Sequence, residues 1–315
     1  MQGTRFPSGD PAADRRAGFA ETMLHLGDLA AAIEAMKSAL DLAPDWAAGW
    51  FRLGEWYEAA GHEAEAVTAW DRAILADPAD PLGAVLKRDL LRGTQVADTL
   101  PPAFVELLFD QYAPRFDTAL QDRLGYRGPQ IIADALRAAG VTAVTNVMDL
   151  GCGTGLTGEV LRPLAQTMHG VDISAGMLAE AEAKGLYDRL IKGDIAALPL
   201  ADQPYDLIVA TDVFNYLGAL DGVMAWIAGS LAPEGLLAFT VEKGTEGYTL
   251  QEARRFAHAP AYVRDLLTQA GLTKITLTDC VLRHDRGTDV MGLTVTARAT
   301  ATQHTREGED GLETA

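Results

Sequence analysis

Residues Asn146-Val147-Met148-Asp149-Leu150-Gly151-Cys152-Gly153-Thr154-Gly155 decide how this chain is read. A largely apolar run carrying Asp149 gives way to three glycines at alternate positions, and Leu156 opens an amphipathic stretch. That order predicts a strand, a tight turn and a helix. Glycine lets the backbone turn sharply and approach a ligand with no Cβ in the way, and the helix that follows aims its first N–H groups at the same place. In an open α/β sheet such a turn lies at the carboxyl end of its strand, where ligands bind.

Working outward, the spacing predicts further strands over Met168 to Asp172, Leu190 to Lys192, Tyr205 to Ala210, Leu236 to Val241, Lys274 to Leu282 and Met291 to Ala297. With the first, these make seven. Helices are expected over Leu156 to Leu164, around 103–112 and 130–139, and from a cap at Ser174 to Gly185. Strand interiors that are apolar throughout imply a parallel sheet covered on both faces. The last two runs have no helix between them, so they form a hairpin with the final strand antiparallel. Asp172 ends the second strand, 21 residues beyond Gly151. A carboxylate there can accept hydrogen bonds from both ribose hydroxyls of an adenosine. Ile173 and Met177 suit the faces of an adenine, or plain core packing. Thr211, Asp212, Asn215 and Tyr216 follow the fourth strand at the crevice edge, with capping and partial burial the alternative for Asn215 and Tyr216.

Ahead of this region the chain repeats itself with a period of 34: Gly27 matches Gly61, Ala32 matches Ala66, Ala39 matches Ala73, and Pro44 matches Pro78. The second copy resembles the tetratricopeptide repeat at Trp50, Leu53, Gly54, Tyr57, Ala66, Ala73 and Pro78. The first copy departs from that pattern at Arg16 and Met23, and residues 81–91 offer a further helix to close the stack. The expected organisation is therefore an all-α repeat domain over 13–91, a linker over 92–102, an α/β domain over 103–299 and a disordered acidic tail over 300–315. Its 44 acidic against 26 basic residues give a net charge of −18, which opposes phosphate backbones and anionic membranes. No nucleic acid and no membrane is expected, and the protein reads as soluble and cytoplasmic. Two cysteines, Cys152 and Cys280, provide neither a disulfide framework nor zinc-site spacing, so no metal is expected.

The glycine stretch resembles motif I of the class I, Rossmann-like S-adenosylmethionine-dependent methyltransferases. Gly153-Thr154-Gly155-Leu156-Thr157-Gly158 also satisfies a dinucleotide fingerprint, but there the first glycine should directly follow the strand, and counting from Gly151 puts Leu156 where the third glycine belongs. With the repeats and the segment PPAFVELLFDQYAPRFDTAL (101–120), the arrangement resembles the predicted methyltransferases that carry tetratricopeptide repeats. The resemblance implies an α/β fold, a seven-stranded Rossmann-like methyltransferase sheet with an N-terminal all-α repeat domain. It implies S-adenosyl-L-methionine as cofactor, held by Asp149, Gly151, Cys152, Gly153, Gly155, Asp172, Ile173, Met177, Asp194, Ile195 and Thr211. Asp194 matches the position that meets the adenine amino group, with helix capping as its alternative. Tyr112 and Phe116 would line a helix that folds over the cofactor, and Asn215, Arg255 and Tyr262 would meet the acceptor. His258 and Tyr216 are the candidates for catalysis, His258 because it lies between the fifth strand and the last helix, where such folds build the acceptor pocket. The expected activity is direct displacement of a methyl group onto an O or N atom of a small molecule or protein side chain, with a protein partner on the repeats. The alternative is a noncatalytic, cofactor-sensing adaptor that holds its partner through the repeats.

Overall fold

Short polar caps and left-handed glycines cut the first hundred residues into helices. A computed structural model describes residues 6–93, 98–118, 120, 124–251, 253–285 and 287–301. The chain divides into two compact units, Met1–Tyr112 and Ala113–Ala315. In the first, α1 (Pro11–His25) starts where Asp10 accepts from the backbone of Ala12 and Ala13, and α2 (Leu29–Leu40) where Asp28 accepts from Ala31. α3 (Ala47–Ala59) and α4 (Glu63–Ala76) form a second hairpin, and Gly27 and Gly61 take the left-handed turns between partners. α5 (Ala84–Arg92) follows, its first N–H groups received by the two carboxylate oxygens of Asp80. Alanines 13, 17, 20, 32 and 39 are buried where helices approach closely, while Trp46, Trp56 and Trp70 fill the wider gaps.

The expected boundary needs correction. The helix α6 (Pro102–Tyr112) groups with the N-terminal helices, and the division falls after Tyr112 instead of within 92–102. Buried Phe104 explains this, because its ring lies where a Cβ on Gly83, at the head of α5, would be only 2.9 Å away. Residues 94–97 of the expected linker, and 302–315 of the expected tail, lie outside the described residues.

The second unit opens with a short helical segment, Ala113–Arg115 and α7 (Phe116–Thr118), then α8 (Gly128–Ala138). Nine strands are present among its described residues, where seven were expected: β1 (Val144–Leu150), β2 (Ala165–Asp172), β3 (Arg189–Lys192), β4 (Tyr205–Ala210), β5 (Leu231–Lys243), β6 (Tyr248–Leu250), β7 (Phe256–His258), β8 (Thr273–Asp285) and β9 (Thr288–Arg298). β3, β2, β1, β4 and β5 are parallel in that order, and β9 lies antiparallel between β5 and β8. Helices α9 (Leu156–Leu161), α10 (Ala175–Lys184), α11 (Asp221–Ser230) and α12 (Pro260–Gln269) complete the unit. Alternation along the strands builds two cores. Met148, Leu150, Ile208, Ala210, Leu237 and Phe239 join α11 and α12 on one face, while Val147, Leu207, Val209, Leu236 and Ala238 join α8 and α9 on the other.

The two unexpected strands are three residues each, too short for a period to show. Their place follows from the register. β9 occupies one edge of β5 from Leu236 to Glu242, and β4 occupies the other from Leu231 to Phe239. β7 pairs with Glu242 and Lys243, so it lies along the β4 edge, just past the carboxyl end of β4. The β6–β7 hairpin therefore borders the crevice.

Gly54 illustrates how tightly the first unit is fitted, because a Cβ there would lie 2.3 Å from Trp70 Nε1. Gly54→Ala is expected to destabilise this unit by about 1–3 kcal/mol through overpacking against a ring that is fully buried, read as a lowered thermal or urea midpoint.

Candidate functional site

Five residues of loop join β1 to α9, and all three of their glycines, Gly155 at φ +87° among them, take a left-handed backbone. Gly151 has φ +64°, and a Cβ on it would come within 2.3 Å of Val213. Gly153 has φ +55°, and the space its missing Cβ would enter is open. Its N–H donates to Asp172 Oδ2 at 2.9 Å, and Ser174 N–H donates to Asp172 Oδ1 at 2.9 Å. The carboxylate that ends β2 thus holds the glycine loop on one side and the start of α10 on the other, where Ser174 caps Met177.

Asp149 lies beneath the loop with 1% of its surface exposed. Tyr187, which sequence reasoning missed, donates its hydroxyl to Asp149 Oδ2 at 2.7 Å, while Oδ1 is buried with no hydrogen-bond partner. Burial pushes the Asp149 carboxyl up to about 7, the Tyr187 hydrogen bond opposing and the nearby charge of Asp172 adding. The Tyr187 ring explains Gly158, the residue that imitates a dinucleotide fingerprint, since a Cβ there would lie 2.5 Å from the Tyr187 oxygen. Cys152 is buried beside these acids, and its thiol is pushed up first by burial and then by Asp149 and Asp172. On the neighbouring strand, Thr211 Oγ1 is also buried without a partner. Leu150 pairs with Ala210, so Gly151 and Thr211 leave adjacent strand ends together.

Along the rest of the crevice, Asp194 Oδ1 accepts from Ala196 N–H at 2.9 Å, an Asx turn instead of a helix cap. Ile173 is half-buried, whereas Ile195 and Met177 are buried in the protein's own packing. Tyr112 is 54% exposed at the end of α6 in the first unit, and Phe116 is half-buried in the second, so the two expected lid residues fall on opposite sides of the division.

Beyond β4 the residues expected at the acceptor converge on a buried ionic cluster. Arg255 Nη2 donates to the Tyr216 hydroxyl at 2.6 Å, and its guanidinium lies 5.2 Å from the centre of that ring. Its Nη1 reaches Glu242 at 3.2 Å and Asp212 at 3.5 Å. Arg283 closes the square, binding Asp212 at 3.3 Å and Glu242 more tightly. Asn215, with no exposed surface, donates to Asp212 and accepts from Glu242 N–H at 3.0 Å. Two guanidiniums and two carboxylates balance, as burial of charge requires. Asp212 is held at φ +57°, a conformation that costs a non-glycine residue about 1 kcal/mol or more. Arg283, Glu242 and Tyr126 were not singled out from the sequence. Tyr126 faces Asp212 and both arginines, and a Cβ on Gly128 would touch both its hydroxyl and the Thr211 methyl.

Neither catalytic candidate is poised as a base. His258 is in strand β7, with no exposed surface; its Nε2 lies 3.0 Å from the Gly218 carbonyl and its ring stacks on Tyr262 at 5.9 Å. Burial lowers its pKa to about 4, against the opposing pull of backbone carbonyls, so the ring stays neutral with its Nε2 proton given to Gly218. Burial raises the Tyr216 phenol, with Arg255 opposing and Asp212 adding. Tyr262 accepts from Leu220 N–H at 2.9 Å and packs between Tyr248 and His258, a supporting position behind the cluster.

Among the described residues no helix is long and apolar enough to cross a membrane, and no three His, Cys, Asp or Glu side chains group as metal ligands.

The raised Asp149 carboxyl makes a stability prediction. Because its folded pKa exceeds the unfolded value of 3.8, its contribution is complete below that value and is lost as pH rises through about 7. Asp149→Asn is expected to remove this loss, so its melting temperature, compared with the parent protein, improves as pH rises from about 4 to about 7 and levels off above that. Parallel thermal melts across that range check it.

Comparison with known proteins gives this geometry its context. The methyltransferase-domain family matches residues 148–239, from β1 through β5. The chain is 31% identical over 183 residues to the trans-aconitate 2-methyltransferase of Methylobacterium nodulans, covering 57% of this chain and 69% of that one. It is 30% identical over 141 residues to the malonyl-[acyl-carrier protein] O-methyltransferase of Enterobacter lignolyticus, covering 44% of this chain but only 56% of that enzyme. The chain thus spans about half the length of the latter relative and about two thirds of the former. In fold it is similar to the N-methyltransferase NodS of Bradyrhizobium japonicum, solved with S-adenosyl-L-homocysteine, at 20% identity and a TM-score of 0.51 over 62% of this chain and 97% of that one. The two unpartnered polar atoms at the ends of β1 and β4, the open side of Gly153 and the doubly anchored Asp172 suit an adenosylated amino acid, and the chain belongs to the S-adenosylmethionine-dependent methyltransferases.

Proposed function

We propose that the protein moves a methyl group from S-adenosyl-L-methionine to an oxygen or nitrogen atom of a small molecule or protein side chain. The observation that carries this reading is the pair of buried, unpartnered oxygens, Asp149 Oδ1 and Thr211 Oγ1, beside a glycine loop that Asp172 holds in shape. Unpaired buried polar atoms are costly, and a ligand that bonds them removes that cost. When bound, the cofactor supplies an electrophilic methyl on a sulfonium. Direct displacement then asks the protein mainly to align the reacting atoms and exclude water.

In this reading the Asp172 carboxylate, which ends β2 at the edge of the crevice, meets the ribose hydroxyls. Asp149 and Thr211 meet the amino-acid end, and Ile173 and Asp194 border the base. The acceptor approaches from the side of Thr211, Asp212, Asn215 and Tyr216, which the charge-balanced cluster of Arg255, Arg283, Asp212 and Glu242 holds in place. The relatives named for malonyl-[acyl-carrier protein] and trans-aconitate act on acceptors that bear carboxylates, and the first is named an O-methyltransferase, which favours oxygen as the acceptor atom. With His258 and Tyr216 both unsuited as bases, an acceptor already ionised at neutral pH is favoured because it needs no proton removed.

The N-terminal unit is read as a tetratricopeptide-type stack that recruits a protein partner or the acceptor itself. Two hairpins with matching turn glycines, matching buried alanines at 32 and 66, and exposed Phe19, Leu26 and Leu75 support it. Deleting residues 1–112 is expected to leave cofactor affinity intact and to abolish turnover on the native acceptor; a deletion that loses cofactor affinity would make this unit a buttress.

Calorimetry with S-adenosyl-L-homocysteine tests the cofactor site. Asp172→Ala removes the acceptor of two backbone N–H groups and of the ribose, with an expected loss of about 1.5–3 kcal/mol in binding. Labelled S-adenosylmethionine incubated with fractionated extract tests the reaction, and label in no fraction would overturn it.

A further inference from the structure

Thr154 sits in the middle of the glycine loop with 2% of its surface exposed, and its hydroxyl donates to Asp117 Oδ1. Asp117 comes from α7, ahead of the sheet and 37 residues earlier in the chain. Its Oδ2 accepts from Lys184 Nζ at 2.8 Å, at the last turn of α10. Lys184 also binds Glu159 of α9 at 2.9 Å. One carboxylate therefore ties three things together: the segment before the sheet, the loop between β1 and α9, and the far end of α10.

The loop needs such a tie. Three of its five residues are glycines at positive φ, the residue type that loses most conformational freedom when it is fixed. Backbone bonds hold its ends, Cys152 N–H to the Val171 carbonyl at 3.0 Å and Gly155 N–H to the Cys152 carbonyl at 2.9 Å. Asp172 fixes Gly153 from the ligand side. Thr154 is the loop's side-chain anchor on the side of α7, and its partner is charged, which makes the hydrogen bond roughly twice as strong as a neutral one. Lys184 in turn holds the carboxylate in a single orientation, so that Asp117 meets Thr154 without first having to be ordered.

We propose that Asp117 is a positioning residue for the cofactor: by receiving the Thr154 hydroxyl under the hold of Lys184, it keeps the glycine loop in the shape that accepts S-adenosylmethionine. This inference rests on the methyltransferase reading of the site. Asp117 touches no part of the crevice floor formed by Asp149, Asp172 and Thr211, so it acts through the loop. Losing the tie leaves the loop free to leave its binding shape, and the ligand then escapes faster while its arrival changes little.

The test uses the full chain and S-adenosyl-L-homocysteine as probe, with affinity from calorimetry, dissociation from stopped-flow fluorescence and thermal melts of the ligand-free proteins. Asp117→Ala and Thr154→Val are each expected to weaken binding about tenfold, mainly through faster dissociation. The double variant is expected to be no weaker than either single one, because both remove the same interaction. Thr154→Ser keeps the hydroxyl and is expected to bind like the parent protein. Variants that bind within about twofold of the parent, or losses that add in the double variant, would overturn the proposal, since additive losses mean two separate packing defects. A parent protein that binds no S-adenosyl-L-homocysteine would overturn the methyltransferase reading along with it.

Discussion

The hydrogen bond from the Tyr187 hydroxyl to Asp149, 2.7 Å long, sets the terms for everything around the crevice. The ring that reaches Asp149 occupies the volume under the first turn of α9, so Gly155 and Gly158 have to lack side chains for it to enter. Gly170 on β2 makes room in the same way, for Tyr187 and for the sulfur of Cys152. With the ring in place α9 lies close on β2, and its N-terminus opens over the carboxyl ends of the strands. One oxygen of Asp149 is spent on this support and the other is left buried and unpaired beside Thr211. The support of the site and its unmet valence are thus two atoms of one side chain.

A second constraint operates on the acceptor side. Four charges are removed from water at the ends of β4, β5 and β8 and just before β7, and each guanidinium meets both carboxylates. Burying such a square is tolerable only when every member is paired, so the loss of any one strands the others. Its geometry is demanding enough to hold Asp212 in a left-handed backbone conformation and to engage both ends of the Asn215 amide. Strain of this kind is usually found where a site needs its groups fixed before a ligand arrives.

The parts legible in the sequence are those whose signal is local. The loop after β1, the carboxylate at the end of β2, the Ser174 cap and the antiparallel final hairpin each follow from a few adjacent residues, and β4 matches its expected limits of Tyr205 and Ala210. The parts that were missed depend on distance in sequence. Tyr187 meets Asp149 across 38 positions and Arg283 meets Asp212 across 71, and nothing about a tyrosine before β3 or an arginine in β8 announces either contact. His258 was singled out from its place in the chain order, and burial, which no single residue type reveals, put it in a packed interior. The domain boundary moved because Phe104 found its pocket against Gly83, again a contact between separate segments.

The β6–β7 hairpin adds a different kind of consequence. It is joined to the sheet through two register pairs at the very end of β5, beyond the point where β4 stops, and it carries Arg255 at its rim. The cofactor half of the crevice, built from β1, β2 and β4, shares no strand pairing with it. An insertion, deletion or exchange of residues 244–259 would therefore redraw one wall of the crevice while leaving the frame of the other intact. The molecule is partitioned into a floor framed by β1, β2 and β4 and a separable wall of sixteen residues at the sheet's margin.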